Sequence, residues 1–223
     1  MTFLNLTNYF QSFCSFLLFI IFLTNYRTIN QKFKLIGALA FVSVIGNILQ
    51  ITSNLLFHSA YMNQIGEAYQ IFFVIIISLF FLQINRTKLS QVLFYVLNIS
   101  CFVCWVLLLV YLNDNNLFSI YSVITYVGLI LFAILYFTYL LKYLPSENLL
   151  SIPEFWVAAA VLFNFSGYLI ITLTYSYLVE VLKENMILYW SFFNVFSIIF
   201  FSLLSYALLL HIKNVKIALH EHK

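Results

Sequence analysis

Seven long apolar runs, separated by short polar segments, restrict this chain to a helical fold embedded in a membrane. A helix needs about 20 largely apolar residues to cross the hydrocarbon core of a bilayer. Each run is close to that length or longer, and none carries Asp, Glu, Lys or Arg near its middle. The runs are 9–26, 34–56, 66–84, 90–112, 119–141, 153–177 and 187–211. We therefore predict an all-α, polytopic membrane bundle of seven transmembrane helices.

The composition excludes a water-soluble domain of ordinary type. Of the 223 residues, 64% are hydrophobic and only 8% are charged, whereas soluble domains carry about a quarter charged residues. No polar stretch is long enough to fold separately, so we predict one transmembrane domain, 1–212, and a short basic tail, 213–223. The first apolar run lacks a basic segment before it and a small-residue cleavage site, so we expect it to be retained as a helix.

The basic residues indicate how the chain is oriented in the membrane. Nine of the ten Lys and Arg residues lie in alternate loops, which share one side of the membrane, or at the C-terminus, which lies on that same side. They are Arg27, Lys32, Lys34, Arg86, Lys88, Lys142, Lys213, Lys216 and Lys223; the exception is Lys183. Because Lys and Arg favour the cytoplasmic side of a membrane, we predict an outside N-terminus and a cytoplasmic C-terminus. Such an arrangement requires an odd number of helices. The expected location is the inner (plasma) membrane, with the lipid bilayer as partner and no nucleic acid.

Several classes of membrane protein are excluded by what the runs lack. Proton pumps and coupled transporters usually bury acids or bases at mid-membrane, and retinal proteins need a lysine inside the last helix. Neither feature is present, and no intramembrane protease or zinc motif is readable. We therefore expect a non-enzymatic protein without catalytic residues, metal ligands or cofactors. Cys101 and Cys104 share a helix face, and they are interpreted either as small buried residues or as a metal or redox pair.

One polar stripe stands out among the apolar runs. Asn47, Gln50, Asn54 and His58 recur at helical spacing on one face of the second helix, and Glu67 and Gln70 open the third helix at the same side. Aromatic walls with a few polar groups are typical of small-molecule sites. Further candidates lie on the sixth and seventh helices: Tyr168, Tyr175, Trp190 and Asn194. The alternative interpretation is a set of hydrogen bonds between helices together with an aromatic belt at the membrane surface.

The start of the sixth helix is the clearest local signal in the sequence. Ser151 and Glu154 have the spacing of a capping box, in which each side chain bonds a free backbone N–H of the first turn. Pro153 falls in that first turn, where its missing N–H costs nothing. Phe155 and Trp156 follow at the depth of the lipid headgroups, which amphipathic rings favour. We predict that the sixth helix begins here.

These residues also carry a resemblance. Pro153-Glu154-Phe155-Trp156, the segment Phe163-Asn164-Phe165-Ser166-Gly167 and the polar stretch 63–70 resemble parts of a group of uncharacterised bacterial seven-helix integral membrane proteins. Those proteins have a P-x-F-W start to helix six and are often encoded near sensor histidine kinases. The resemblance implies a role as a signalling accessory, with a sensor kinase or another membrane signalling protein as partner.

Three functions remain in consideration. The leading hypothesis is a sensor or signalling accessory with an outward-facing pocket for a small molecule or lipid. The second is a facilitator of a small neutral solute; the chain has only 2 prolines, Pro145 and Pro153, at a loop and a helix start, which argues against transporters that use proline hinges. The third is a lipid-modifying enzyme in which His58 and Glu67 act as a general acid–base pair.

Overall fold

The fold is entirely helical in the part of the chain that the structure describes. A computed structural model describes residues 3–56, 62–85, 87–110, 115–143, 148–181 and 186–221; side chains within 50–68, 109–118 and 175–190 and at both chain ends are not described. The helices are α1 Phe3–Thr24, α2 Gln31–Leu56, α3 Met62–Ile84, α4 Lys88–Val110, α5 Asn115–Tyr143, α6 Pro153–Val181 and α7 Met186–Glu221, with a short 3₁₀ helix, Leu149–Ser151, before α6. The all-α prediction is confirmed.

Six of these helices are long and apolar enough to cross a membrane. The described apolar part of the remaining helix, α3, is shorter and covers Tyr69–Ile84. Large apolar side chains also face outward, among them Tyr95, Ile99 and Phe102 on α4. A soluble protein rarely exposes so continuous an apolar surface. Length, composition and surface therefore agree with a multi-pass membrane protein.

The helices form a ring in chain order. Each helix packs against the next one, α7 closes the ring by packing along α1, and α3 also contacts α5. Short connections between antiparallel helices favour this order. Helix α4 contacts only its neighbours α3 and α5 to any extent, so it lies on the outside of the seam between them.

The two ends of the ring differ in charge. We call one the basic end; it contains residues 25–30, Asn85, Thr87, residues 148–152 and the last turns of α7. The starts of α1, α3, α5 and α7 form the opposite end. At the basic end, Asn30 caps α2 by accepting a hydrogen bond from the Phe33 N–H at 3.0 Å. Thr87 caps α4 in the same way, accepting from the Ser90 N–H at 3.2 Å. These caps satisfy backbone groups that helix ends leave free.

The start of α6 is placed as predicted, but its cap differs. Pro153 is the first residue of the helix. Ser151 lies in the preceding 3₁₀ turn, where its hydroxyl donates to the Asn148 carbonyl at 2.6 Å, and the Glu154 carboxylate lies 3.8 Å from the Lys32 ammonium. The capping-box prediction is therefore wrong in detail, because the 3₁₀ turn moves Ser151 one position before the cap and Glu154 pairs with α2 instead.

The last helix is longer than the last apolar run. We predicted a run ending at residue 211 and a short basic tail, 213–223, with residues 211–223 either extending the last helix or lying on the headgroups. The structure shows the first arrangement, since α7 continues to Glu221. The basic residues Lys213 and Lys216 therefore lie on a rigid helix. Lys and Arg have high helix propensity, so a basic segment can prolong a helix beyond its apolar part.

Candidate functional site

Four of the ten candidate ligand-binding residues have described side chains: Asn47, Gln70, Tyr168 and Asn194. His58 lies outside the described residues altogether. The backbones of the others are helical, but their side chains lie outside the description; these residues are Gln50, Asn54, Glu67, Tyr175 and Trp190. The predicted pocket at the opposite end and the proposed pairing of His58 with Glu67 thus stay predictions.

Asn47 and Asn194 form hydrogen bonds between helices. The Asn47 amide donates to the Ser15 hydroxyl on α1 at 3.0 Å. The Asn194 amide on α7 donates to the Thr7 hydroxyl at 3.1 Å and to the Asn8 side-chain oxygen at 2.7 Å. Bonds of this kind between membrane helices contribute on average about 0.6 kcal/mol each. Both amides hold α1 in the ring, which agrees with the alternative interpretation of the polar stripe.

Polar side chains from four helices meet inside the ring instead. We call this set the polar core cluster: Ser43 on α2, Tyr69 on α3, Asn164 and Tyr168 on α6, and Ser197 on α7. Ser43 and Tyr69 share a hydrogen bond of 3.0 Å. The Tyr168 hydroxyl bonds with the Ser197 hydroxyl and donates to the Phe193 carbonyl at 3.3 Å. Ser43 and Tyr168 lie near the midpoints of α2 and α6, so the cluster is at mid-depth of the bundle.

The two halves of the cluster are close to each other. The tyrosine hydroxyls of Tyr69 and Tyr168 are near enough to interact electrostatically, and the Asn164 amide lies beside the Tyr168 hydroxyl. Aromatic rings surround these groups, among them Phe73, Phe165 and Phe200. In such a low-dielectric surrounding a satisfied polar group is strongly oriented and an unsatisfied one is costly.

One polar atom of this cluster, the Asn164 side-chain oxygen, has no hydrogen-bond partner among the described residues. Asn164 is only 2% exposed. A buried polar group without a partner costs about 1–3 kcal/mol, so this oxygen is suited to accept a hydrogen bond from a water or a ligand. An unpartnered acceptor in an aromatic surrounding favours a neutral molecule that carries its own hydroxyl or amide donor. The Gln70 amide nitrogen on α3 is a second buried atom without such a partner.

A second network joins three helices at the basic end. The Asn30 N–H donates to Nε2 of His211 at 3.3 Å, and the His211 ring stacks on Phe33 with centroids 4.3 Å apart. The ion pair between Lys32 and Glu154 connects α2 to α6. This network, which we call the basic-end junction, therefore ties together the starts of α2 and α6 and the end of α7.

Trp156 belongs to the same junction. Its indole N–H donates to the Leu150 carbonyl at 2.9 Å, and its ring packs edge-on against Tyr206 of α7 at 4.9 Å between centroids. The Asn214 amide of α7 donates to the Ser151 carbonyl at 3.2 Å. Two residues of the predicted helix-six motif, Ser151 and Trp156, thus contact α7.

Most of the polar core cluster was missed from the sequence. Of its five residues only Tyr168 was a candidate for ligand binding, whereas Ser43, Tyr69, Asn164 and Ser197 were not. Asn164 and Tyr168 are four residues apart and share a face of α6, and this spacing was the available signal. Serine and tyrosine are common throughout the chain, so nothing marked Ser43 or Tyr69.

The cysteine pair also has a structural explanation. The Cys101 thiol lies 3.4 Å from the Thr125 hydroxyl, which joins α4 to α5. Cys101, Cys104 and Cys14 are free cysteines. Cys101 therefore acts as a small buried residue with one weak hydrogen bond, as the first of the two interpretations expects.

The geometry defines a polar cluster inside the ring and a junction at one of its ends. No protein-family model, no curated protein and no solved structure matches this chain.

Proposed function

We propose that this chain is a non-enzymatic sensor or signalling accessory of the plasma membrane. In this proposal all seven helices cross the bilayer, the basic end faces the cytoplasm and the opposite end faces outward. A small neutral molecule or a lipid binds at the polar core cluster. A membrane signalling protein, such as a sensor kinase, reads the state of the basic end.

One observation supports this proposal above the others: α6 belongs to both networks. Asn164 and Tyr168 contribute to the polar core cluster, while Glu154 and Trp156 contribute to the basic-end junction. Pro153, the first residue of α6, is its only proline, and the helix continues to Val181. The helix is continuous through the Ser166–Gly167 pair, a position of the kind at which helices can kink, and Asn164 lies on the junction side of that pair. A shift at Asn164 is therefore transmitted to Glu154 and Trp156 through an uninterrupted helical segment.

The junction contains contacts that such a shift would alter. A movement of α6 relative to α2 and α7 changes the 3.8 Å contact between Lys32 and Glu154 and the edge-on packing of Trp156 on Tyr206. The ligand shifts the helices only if it binds one arrangement more tightly than the other. Allosteric coupling typically requires about 1–3 kcal/mol of such preference, and a hydrogen bond from the ligand to the unpartnered Asn164 oxygen could provide it.

The test measures whether a ligand that binds at the polar core cluster changes the fluorescence of Trp156 at the basic-end junction. In a variant with Trp105→Phe and Trp190→Phe, Trp156 is the remaining tryptophan. The full chain in lipid nanodiscs is titrated with a panel of neutral polyols, sugars and purified lipid classes. We expect at least one of them to raise the melting temperature and to shift the Trp156 emission. Asn164→Leu removes the unpartnered oxygen, so both responses should be lost while ligand-free stability changes by less than about 1 kcal/mol.

Asn98→Leu is the matched control. The Asn98 amide donates to the Ser78 hydroxyl at 3.1 Å on the seam of α3 and α4, and its side-chain oxygen is also without a partner among the described residues. We expect this variant to keep both responses. If a ligand binds at Asn164 but Trp156 emission does not change, the sensor proposal is wrong. Saturable flux of that ligand into proteoliposomes, lost in Gln70→Ala, would instead establish a facilitator.

A further inference from the structure

A cleft at the basic end lies between the turn after α1 and the far part of α7. Residues 23–28 and Lys216 line it, and its volume is about 450 Å³. This size is within the range of small-molecule sites. The cleft is independent of the polar core cluster, because no residue of that cluster lines it.

The cleft carries positive charge without a lining acid. Arg27 and Lys216 are both exposed, and neither Asp nor Glu is among the lining residues. A third cation is held at the wall, since the Lys34 ammonium lies 4.5 Å from the centroid of the Tyr26 ring. Among the described side chains, the one acid in an ion pair is Glu154, and its partner is Lys32. The cations of the cleft are therefore available to an anion.

The wall of the cleft is fixed by its own hydrogen bonds. The backbone N–H groups of Asn25 and Thr28 donate to Phe22 and Asn25 carbonyls at 3.2 and 3.0 Å. The Asn25 amide donates to the Ile21 carbonyl at 3.0 Å. Because the backbone of the turn is held in place, the Arg27 side chain is the part of the turn that must be ordered on binding, which lowers the entropic cost.

The position of the cleft distinguishes a lipid from a soluble anion. It begins where the apolar stretch Leu6–Thr24 ends, which is the depth of the headgroup phosphates when that stretch spans a bilayer. Below it, Leu23, Ile20 and Phe16 of α1 are exposed and follow one another along one side of the helix. A phospholipid whose headgroup occupies the cleft can pack its own acyl chains on these side chains, an interaction that a free phosphate lacks.

We propose that this cleft binds the phosphate of an anionic glycerophospholipid between Arg27 and Lys216. Arginine bonds two phosphate oxygens at once through its planar guanidinium, and lysine adds a compact point charge. The acyl chains lie along the exposed side of α1. A bound lipid links the α1–α2 turn to the end of α7, beside the basic-end junction. This site does not depend on which face of the membrane the basic end occupies.

Native mass spectrometry of the full chain, released from detergent, tests the site. The probes are phosphatidylglycerol and phosphatidylcholine at equal concentration, and inorganic phosphate is the soluble competitor. The wild type should retain phosphatidylglycerol preferentially, and Arg27→Gln with Lys216→Gln should weaken that retention about tenfold or more, since a surface cation contributes roughly a kcal/mol to anionic-lipid binding. Inorganic phosphate at the lipid concentration should displace little of it.

Two further variants keep the test decisive. Lys88→Gln with Lys142→Gln removes the same charge from exposed positions outside the cleft, and it should retain the lipid as the wild type does. Arg27→Lys with Lys216→Arg preserves the charge and should retain most of the binding. Equal loss in the cleft variant and the Lys88/Lys142 variant would overturn the proposal in favour of diffuse attraction. Competition by inorganic phosphate at that concentration would overturn it in favour of a soluble-anion site.

Discussion

Replacing Phe33 by alanine should lower the free energy of unfolding by about 3–4 kcal/mol. The Phe33 side chain is fully buried where α2, α3 and α7 meet. It packs edge-on against Phe80 with centroids 5.6 Å apart and stacks on His211 at 4.3 Å. Truncation leaves a cavity and removes both ring contacts, and phenylalanine truncations in packed cores cost about 3–5 kcal/mol.

Phe72→Ala is the matched control. Phe72 is 58% exposed on α3, so after truncation lipid fills the space of the ring and no cavity is left in the core. The truncation should therefore lower the free energy of unfolding by less than about 1 kcal/mol. Chemical denaturation in bicelles, followed by helical circular dichroism, measures both variants. If the two truncations had equal effects, the packing of α2, α3 and α7 around Phe33 would be wrong.

A second large effect is expected at the contact of α1 with α2. Gly37 is in the middle of the first half of α2, and a Cβ atom placed there would overlap the Phe22 ring. Phe22 is itself 9% exposed and packs edge-on against Tyr26 at 5.5 Å, so it has little room to move. Gly37→Leu should therefore destabilise the bundle by about 2–3 kcal/mol, because overpacked cores force side chains and backbone apart.

A double variant separates this clash from other effects of the leucine. In a Phe22→Ala background the ring is absent, and Gly37→Leu should then cost at least about 1 kcal/mol less than in the wild type. Residues in direct contact show such non-additivity, whereas independent residues do not. Equal costs in the two backgrounds, measured by the same denaturation, would show that α1 and α2 do not meet at this point.

The helices themselves were largely predictable from the sequence. Run length and the absence of mid-run charges identified each helix to within several residues, because a bilayer demands both. Pro153 marked the start of α6 correctly. The extension of α7 to Glu221 was one of two possibilities, since hydropathy ends with the apolar part while the helix continues through charged residues of high helix propensity.

The faces of the helices were not predictable in the same way. Ile36 and Phe41 both lie within the second apolar run, yet Ile36 is fully buried and Phe41 is 49% exposed. In a membrane protein the lipid-facing and core-facing sides are equally apolar, so the polar alternation that orients a soluble helix is missing. The ring order, and with it the position of α4 outside the α3–α5 seam, had no signal in composition.

The residues of the candidate site could not be predicted for the same reason, because the sequence does not show which side of each helix faces the core. Gln70 was selected for its polarity, whereas its neighbour Tyr69 forms the hydrogen bond to Ser43 that belongs to the polar core cluster. His211 entered the sequence analysis only as the last residue of the seventh apolar run, but it is 6% exposed and packs on Phe33. Both assignments depend on which helices are neighbours, and that information resides in long-range packing.

The central claim is that the chain crosses the membrane seven times with its basic end in the cytoplasm. Epitope tags fused before Met1 and after Lys223 test it directly when antibody access is compared in intact and permeabilised cells. The account predicts that the N-terminal tag is labelled in intact cells and that the C-terminal tag is labelled only after permeabilisation. Both tags on one side would mean an even number of crossings, and a C-terminal tag reached from outside would place the basic end on the wrong face; either result would contradict the account.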